Sequence, residues 1–233
     1  MIVRKYGITL RRLKEDNIEL VRQKRNSTAI RNTMYYREEI SPEMQKKWFD
    51  SINNKNNGYF IIEYKSEKIG LIHGKNLDFE KRTCEGGIFI WDEKYIGGFI
   101  PALASVIMND WTFYMINFKG VYAKMVLDNS TAIAYNKLMG YHLCEPQNND
   151  VGVQWMLLTK ESYEKRMKLL RKSIKDITGD GEILKLEDGD ASDDLGKEVA
   201  LFYKGLPADI QEKGDTLLEW ARSGKSKKSG TFN

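Results

Sequence analysis

Residues 122–141 read YAKMVLDNSTAIAYNKLMGY, and this stretch decides the fold. Its apolar and aromatic first part predicts a strand over 120–127. The next residues predict a short helix over 129–139. Gly140 ends this helix, because glycine is favoured just past a helix C-terminus. The block therefore predicts a strand that leads directly into a helix.

The residues before this block predict a second connection of the same kind. A strand over 82–91 (RTCEGGIFIW) precedes the loop 92–98 (DEKYIGG), and an apolar helix follows over 99–113 with Pro101 in its first turn. Free N–H groups at a helix N-terminus bind phosphate, and glycine lets a ligand approach the backbone. The loop alone is equally compatible with an ordinary turn that needs glycine for its geometry.

Further strands and helices surround these two units. The consecutive strands ahead of the strand–helix–strand section indicate a mixed sheet in an α/β (α+β) fold, and not a regular doubly wound one. A serine followed by a proline marks the start of one helix, at Ser41 and Pro42. The predicted strands are 8–13, 59–64, 68–73, 141–144 and 152–159, and the predicted helices are 16–25, 28–35 and 41–52.

The composition changes after residue 159, so residues 1–159 are predicted to form one domain. Residues 160–175 predict a basic helix, with seven Lys or Arg against two Glu. Residues 176–197 are acidic and contain several glycines, which is typical of a solvated linker. Residues 198–222 predict a short helical segment, and 223–233 predict a disordered basic tail. This extension is a candidate surface for homodimer formation.

Composition excludes several classes of protein. The chain has 233 residues, of which 41% are hydrophobic and 30% charged, so it is not wholly disordered. Two cysteines and two histidines argue against a disulfide scaffold and a histidine-rich metal site, and we expect no metal. The net charge of +4 does not by itself predict nucleic-acid binding. Without a signal peptide or a long apolar segment, we expect a cytoplasmic protein.

The decisive stretch resembles the second signature of the GNAT acetyltransferases. Asn129, Ala132 and the ending Lys137-Leu138-Met139-Gly140-Tyr141 carry the likeness. The glycine loop then falls where that family binds the CoA pyrophosphate, with Lys94 at its head and Gly97 as its first glycine. Phe99 departs from the pattern, which has Gly or Ala there. The resemblance covers roughly residues 7–159 and implies a mixed, mostly antiparallel sheet flanked by helices, with a C-terminal helical extension.

Other residues narrow the resemblance to branches of the family. Lys24 to Asn26, Glu43 to Phe49, Asn76 and the run Cys84-Glu85-Gly86-Gly87 are similar to acetyltransferases that act on nucleotide-linked 4-amino sugars, of the pseudaminic-acid pathway type. RimJ/RimL-like enzymes, which acetylate ribosomal proteins, share much of this pattern. Gln45 departs from it, since the sugar enzymes often carry histidine there.

The resemblance implies direct acetyl transfer from acetyl-CoA to an amine, which must first lose a proton. Glu85 is the first candidate for the base, His73 the second and His142 the third. Relatives often use a tyrosine of the last helix as the acid, and that position is Asn136 here, so Tyr135 is expected to point elsewhere. The residues implied in cofactor binding are Ile90, Trp91, Lys94, Tyr95, Ile96, Gly97, Gly98, Phe99, Asn129, Ala132, Asn136 and Lys137.

The acceptor is expected at the N-terminal helices, where arginines can hold a nucleotide phosphate and aromatic rings can stack on a base. The named candidates are Arg25, Arg31, Trp48 and Asn76. The main functional prediction is thus an N-acetyltransferase of a small-molecule amine, in particular a nucleotide-linked amino sugar. A protein N-terminal or side-chain acetyltransferase, and a degenerate acyl-CoA-binding or oligomerisation module, stay as alternatives. The acidic run beside the basic helix argues against nucleic-acid binding.

Overall fold

The computed structural model describes residues 1–179 and 185–186. The strands are β1 (Ile2–Lys5), β2 (Ile8–Arg12), β3 (Gly58–Tyr64), β4 (Glu67–Asp78), β5 (Thr83–Ile90), β6 (Gly120–Val126), β7 (His142–Leu143), β8 (Val153–Thr159) and β9 (Lys185–Leu186). The helices are α1 (Ile18–Asn26), α2 (Thr28–Arg31), α3 (Pro42–Ile52), α4 (Phe99–Asp110), α5 (Ser130–Met139) and α6 (Lys160–Thr178).

These strands form one sheet in the order β7-β8-β6-β5-β4-β3-β2-β1-β9. Among the described strands, only β5 and β6 pair in parallel, and every other neighbouring pair is antiparallel. The predicted mixed, mostly antiparallel sheet flanked by helices is therefore confirmed. The strand β1 was not predicted from the sequence, and β4 runs five residues beyond the predicted 68–73.

The helices differ from the predicted ones mainly at their ends. The predicted helix 28–35 ends at Arg31, and the exposed residues that follow form a loop before α3. The helix α3 begins as predicted, since Ser41 Oγ accepts a hydrogen bond from Met44 N at 3.2 Å and proline occupies the first turn. The helix α4 is continued by a π-helical segment, Trp111–Met115, which buries the side chains of Trp111 and Phe113.

Two hydrophobic layers enclose the sheet. On one face α4 and α6 pack on the strands, and Phe60, Phe113 and Tyr163 are at most 1% exposed. On the other face α1 and α3 cover a smaller cluster that includes Phe49, Tyr59 and Trp91. Because side chains alternate across a strand, β5 sends Cys84 to the first layer and Phe89 to the second. The sheet is therefore the middle of three layers.

The C-terminal helix α6 belongs to this packed unit. Thr159 caps it, with the hydroxyl accepting from Ser162 N at 3.1 Å. Arg171 forms a two-point ion pair with the buried Asp110 of α4, and Tyr163 also donates to Asp110 at 2.7 Å. The helix runs to Thr178, so residues 176–178 are helical where a linker is predicted. In the same predicted linker, Lys185–Leu186 pair with β1.

The predicted segments 198–222 and 223–233 lie outside the described residues. Within residues 1–179 and 185–186, no helix combines the length and the apolar character that a membrane span requires.

Candidate active site

A gap opens in the sheet between β5 and β6. The two strands pair only from Thr83 to Glu85 on one side and from Gly120 to Tyr122 on the other. Beyond this register, β5 continues to Ile90 and β6 to Val126 without facing each other as partners. The gap therefore begins at Gly86 and exposes two strand edges to whatever enters it.

The direction of the backbone groups along β5 follows from the ladder with β4. Trp91 N donates to Ile69 O at 3.0 Å, which places the odd-numbered residues of β5 in hydrogen-bonded pairs with β4. In an antiparallel ladder the next residue directs its N–H and C=O to the opposite side. The amides of Ile88 and Ile90 therefore face the gap, where an extended ligand can pair with them.

The loop after β5 ends in unpaired amides. The amides of Tyr95, Ile96 and Gly98 each bond to a carbonyl within the loop. The amides of Gly97, Phe99 and Ile100 have no partner in the described part of the chain. Gly97 has φ +76°, and a Cβ there would meet nothing within 4 Å. Three free donors at the start of α4 suit a diphosphate.

The loop side chains are held separately from these amides. Lys94 Nζ lies 2.5 Å from Glu67 Oε2 at the β3–β4 turn, and Tyr95 donates to the same oxygen at 3.2 Å. The pair with Glu67 raises the pKa of Lys94 above its usual value. Ile96 and Phe99 are each 52% exposed. The side chain of Phe99, which stands where the family pattern has Gly or Ala, therefore does not cover the free donors. Trp91 faces away, with Nε1 donating to Lys68 O at 2.6 Å.

Glu85 is at the base of the gap, on the face covered by α1 and α3. Its register partner is Lys75, whose Nζ lies 2.8 Å from Glu85 Oε1. The Glu85 side chain is 15% exposed, so the carboxylate is held in place yet open to a small ligand. No sequence signal points to Lys75, because strand register brings the two residues together.

His73 is part-buried on the same face of the sheet as Glu85, with its Nδ1 buried. Its ring stacks on Tyr59 at 4.7 Å and lies over Gly87, where a Cβ would come within 2.5 Å of it. Burial, with a smaller contribution from Lys75, lowers the pKa of His73 to about 3. A group with so low a pKa is a poor acceptor for an ammonium proton at neutral pH. His142 is exposed at β7.

The helix α5 borders the far wall of the gap. Asn129 caps it, accepting from Ala132 N at 3.0 Å and donating to Thr33 O at 3.3 Å. Asn136 Nδ2 donates to Ala132 O at 2.8 Å and contacts Met125 Sδ at 3.4 Å, so its amide is occupied. Lys137 is exposed.

The single tyrosine of α5, Tyr135, faces the neighbouring helix. Tyr135 donates to Ser105 Oγ at 2.7 Å, and burial raises its pKa to about 12. It therefore joins α5 to α4 and does not face the position that Asn136 occupies.

The predicted acceptor residues lie on or beside the α1–α3 layer, in different surroundings. Trp48 packs edge-on against Tyr59 at 5.2 Å. Arg25 donates to Tyr36 O at 3.0 Å, while its Nη1 is buried without a partner among the described residues. Burial also lowers the pKa of Arg25. Arg31 is part-buried, and the N–H of Asn76 donates to Asn57 Oδ1.

A recess of about 270 Å³ lies between the α2–α3 loop and the start of α5. Arg37 crosses from the α2–α3 loop to Asp128, with 2.7 Å between Nη2 and Oδ2. The recess is lined by Asn32, Thr33, Asp128, Asn129, Ser130 and Thr131. The structure thus brings Glu85, the loop amides and α5 around one gap.

Residues 8–142 match the family described as acetyltransferase (GNAT) domain. Among solved structures, the spermidine N-acetyltransferase from Vibrio cholerae in complex with CoA and spermine is 20% identical, with a TM-score of 0.58 over 69% of this chain and 99% of that one. A domain from Methanocaldococcus jannaschii DSM 2661 is 19% identical, with a TM-score of 0.58 over 65% and 97%. At these identities the likeness is one of fold. No curated protein sequence matches the chain.

Proposed function

The chain belongs to the GNAT acetyltransferase family, and we propose that it transfers the acetyl group of acetyl-CoA directly to an amine of a small molecule. The observation that carries the proposal is the gap between β5 and β6, which lies next to the three free amides at the start of α4. A ligand with an extended chain and a diphosphate matches both features. Acetyl-CoA has this shape and supplies an activated acetyl thioester.

The residues present fit this cosubstrate. The amides of Gly97, Phe99 and Ile100 would hold the diphosphate, and those of Ile88 and Ile90 would pair with the extended arm. A backbone N–H that faces the gap can also donate to the oxyanion that forms as the amine adds to the carbonyl. All of these donors belong to the backbone, so the departure at Phe99 does not remove them.

Glu85 is the proposed base. An amine attacks a thioester only as the free base, so its ammonium form must lose a proton. The carboxylate of Glu85 lies at the base of the gap on the acceptor side, and the ion pair with Lys75 keeps it oriented. It can take the proton directly or through one water.

Arg25 supports an acceptor that carries negative charge. A buried guanidinium nitrogen without a partner is costly, and a ligand phosphate or carboxylate would pair with it. A nucleotide-linked amino sugar carries such a phosphate in the same molecule as its amine. The fold-level likeness to spermidine N-acetyltransferases favours a second candidate, a polyamine. A polycation would be repelled by Arg25 and Arg31, so the two acceptors predict opposite effects of these arginines.

Calorimetric titration of the protein with acetyl-CoA, and separately with CoA, tests the cosubstrate. We expect one-to-one binding in the micromolar range. No binding at millimolar ligand would overturn the proposal and favour the degenerate interaction module. The acceptor is then sought by following CoA release with UDP- and dTDP-linked amino sugars, with spermidine and with N-terminal peptides. Peptide acetylation alone would establish the protein-modifying alternative.

A further inference from the structure

We propose that the hydroxyl of Tyr141 donates a hydrogen bond to the sulfur of the bound CoA thioester and stabilises the thiolate as it leaves. The inference rests on the proposed function and adds a catalytic residue to it. Tyr141 follows Gly140 directly after α5, and its amide donates to Asn136 O at 3.0 Å, so the end of the helix sets its position.

The hydroxyl lies at the closed end of the gap. A Cβ on Gly86 would lie 3.6 Å from Tyr141 Oη and 2.8 Å from Val121 Cγ1. Gly86 is the first residue of β5 beyond the segment paired with β6. The Tyr141 hydroxyl therefore approaches the point where the two strands separate, from the α4 side of the sheet. Glu85 approaches the same point from the opposite face.

This hydroxyl is unused within the described residues. The hydroxyls of Tyr135 and Tyr163 both donate to protein oxygens, at 2.7 Å in each case. No described residue accepts a hydrogen bond from Tyr141 Oη, although the side chain is part-buried among Ala123, Met125 and Met156. The hydroxyl is not among the fully buried polar atoms that lack a partner, so a ligand in the gap can reach it and accept its proton.

The neighbouring helix does not provide the donor. Asn136 occupies the position from which a tyrosine is expected, and its amide is bonded to Ala132 O. Tyr141 is five residues further along the chain, just outside α5, and its hydroxyl lies near Gly86 at the closed end of the gap. Burial raises the pKa of Tyr141 well above that of an ordinary phenol, so the group is protonated at every pH at which the enzyme would work.

The role is that of a hydrogen-bond donor that keeps its proton. The amine nitrogen bonds to the acetyl carbon, the C–S bond breaks, and its electron pair stays on sulfur. The proton lost by the amine goes to Glu85, and the thiolate takes its own proton from water after release. A hydrogen bond to sulfur strengthens as negative charge develops there, which lowers the barrier to C–S cleavage.

The test compares Tyr141→Phe with Tyr135→Phe, a matched loss of one tyrosine hydroxyl six residues away. The first readout needs no acceptor: the bound CoA thiol is titrated by its ultraviolet thiolate absorbance, as a difference spectrum against desulfo-CoA. We expect Tyr141→Phe to move the thiol–thiolate equilibrium of bound CoA about tenfold toward the thiol, the effect of one lost charge-assisted hydrogen bond. Tyr135→Phe should leave it unchanged.

The second readout is single-turnover acetylation at saturating acetyl-CoA. Tyr141→Phe should slow it roughly 10- to 100-fold with unchanged affinity for acetyl-CoA. Equal titrations and equal rates in wild type and Tyr141→Phe would overturn the proposal while leaving the acetyltransferase function in place. If wild type binds no CoA, the proposed function itself fails. If Tyr141→Phe does not fold, the wild-type protein provides the test. The fraction of CoA present as thiolate must then be higher for bound CoA than for free CoA at the same pH. An equal fraction refutes the role.

Discussion

Lys75 and Glu85 face each other across β4 and β5, and their side chains form an ion pair with 2.8 Å between Nζ and Oε1. The pair lies immediately before Gly86, where β5 separates from β6. A carboxylate held at this point can reach an amine on the α1–α3 side while the thioester occupies the gap. The relationship makes Glu85 the side chain whose loss should affect the reaction most.

Glu85→Gln is expected to lower kcat at least about tenfold at neutral pH, because the ammonium proton then has no carboxylate acceptor. The variant should recover part of its rate as the pH approaches the pKa of the amine, since the free base is then abundant in solution. Steady-state rates against pH measure this.

The matched control for Glu85 is Glu63→Gln. Glu63 forms a comparable cross-strand pair with Arg11, at 3.0 Å, and lies away from the gap. Unchanged kcat in Glu85→Gln, or an equal loss in both variants, would remove Glu85 from the role of base.

Gly97→Ala should weaken the binding of CoA. At φ +76° an alanine is strained by about 1 kcal/mol, and the loop relieves the strain by turning its free amides away from the ligand. Gly152→Ala is the matched control, because Gly152 has φ +71° and equally open surroundings far from the loop. Both variants should lose similar stability in urea unfolding, and only Gly97→Ala should raise the Kd of CoA. Equal Kd values would mean that the loop glycine is structural.

Alanine at Arg25 or Arg31 should raise KM for a nucleotide-linked amino sugar about tenfold, since each change removes a charged hydrogen-bond donor to phosphate. The KM of spermidine should stay the same or fall. Lys165→Ala removes one exposed positive charge from α6 and serves as the control for net charge. A rise in the KM of spermidine, with the nucleotide sugar unaffected, would contradict an anionic acceptor.

The burial of neutral His73 predicts a loss of stability in weak acid. The unfolded state takes up a proton below about pH 6.5, while the folded state resists until about pH 3. Stability present above pH 6.5 is therefore lost as pH falls, by about 2 kcal/mol between pH 7 and 5. Urea unfolding at the two pH values should show this loss in wild type.

His73→Phe should abolish most of this pH dependence, because phenylalanine can stack on Tyr59 and does not titrate. His142→Gln, at the exposed second histidine, should keep it. Identical slopes in wild type and His73→Phe would show that His73 is protonated within the fold.

Arg171→Met should lower the free energy of unfolding by about 3 kcal/mol, since it leaves the buried Asp110 without its charge partner. Lys172→Met changes the next residue of the same helix, which is exposed, and should cost far less. Urea unfolding measures both variants. Equal effects would mean that the ion pair between Arg171 and Asp110 contributes little to the stability of the domain.

Local patterns predicted most elements correctly and missed those that depend on distant partners. The runs GVYAKMVL and GVQWMLLT carry their own strand signal, and Ser41-Pro42 marks a helix start wherever it occurs. The strand β1 has four residues, and its pairing with β2 and β9 makes it a strand. The charge composition after residue 159 gives no sign of the ion pair between Arg171 and Asp110, which are 61 residues apart. A change in charge composition does not reveal which charges are paired.

The features of the candidate site fall into the same two groups, those found in a local stretch of sequence and those that depend on distant residues. The sequence by itself determined the strand–loop–helix order, the glycine loop and the resemblance carried by Asn129 to Tyr141, because these features lie within one short stretch of chain. The ion pair of Lys75 with Glu85, the stacking of His73 on Tyr59 and the approach of Tyr141 to Gly86 are evident from the tertiary structure alone. These contacts join strands and helices that are far apart in sequence, and their geometry comes from strand register and from the packing of helices on the sheet.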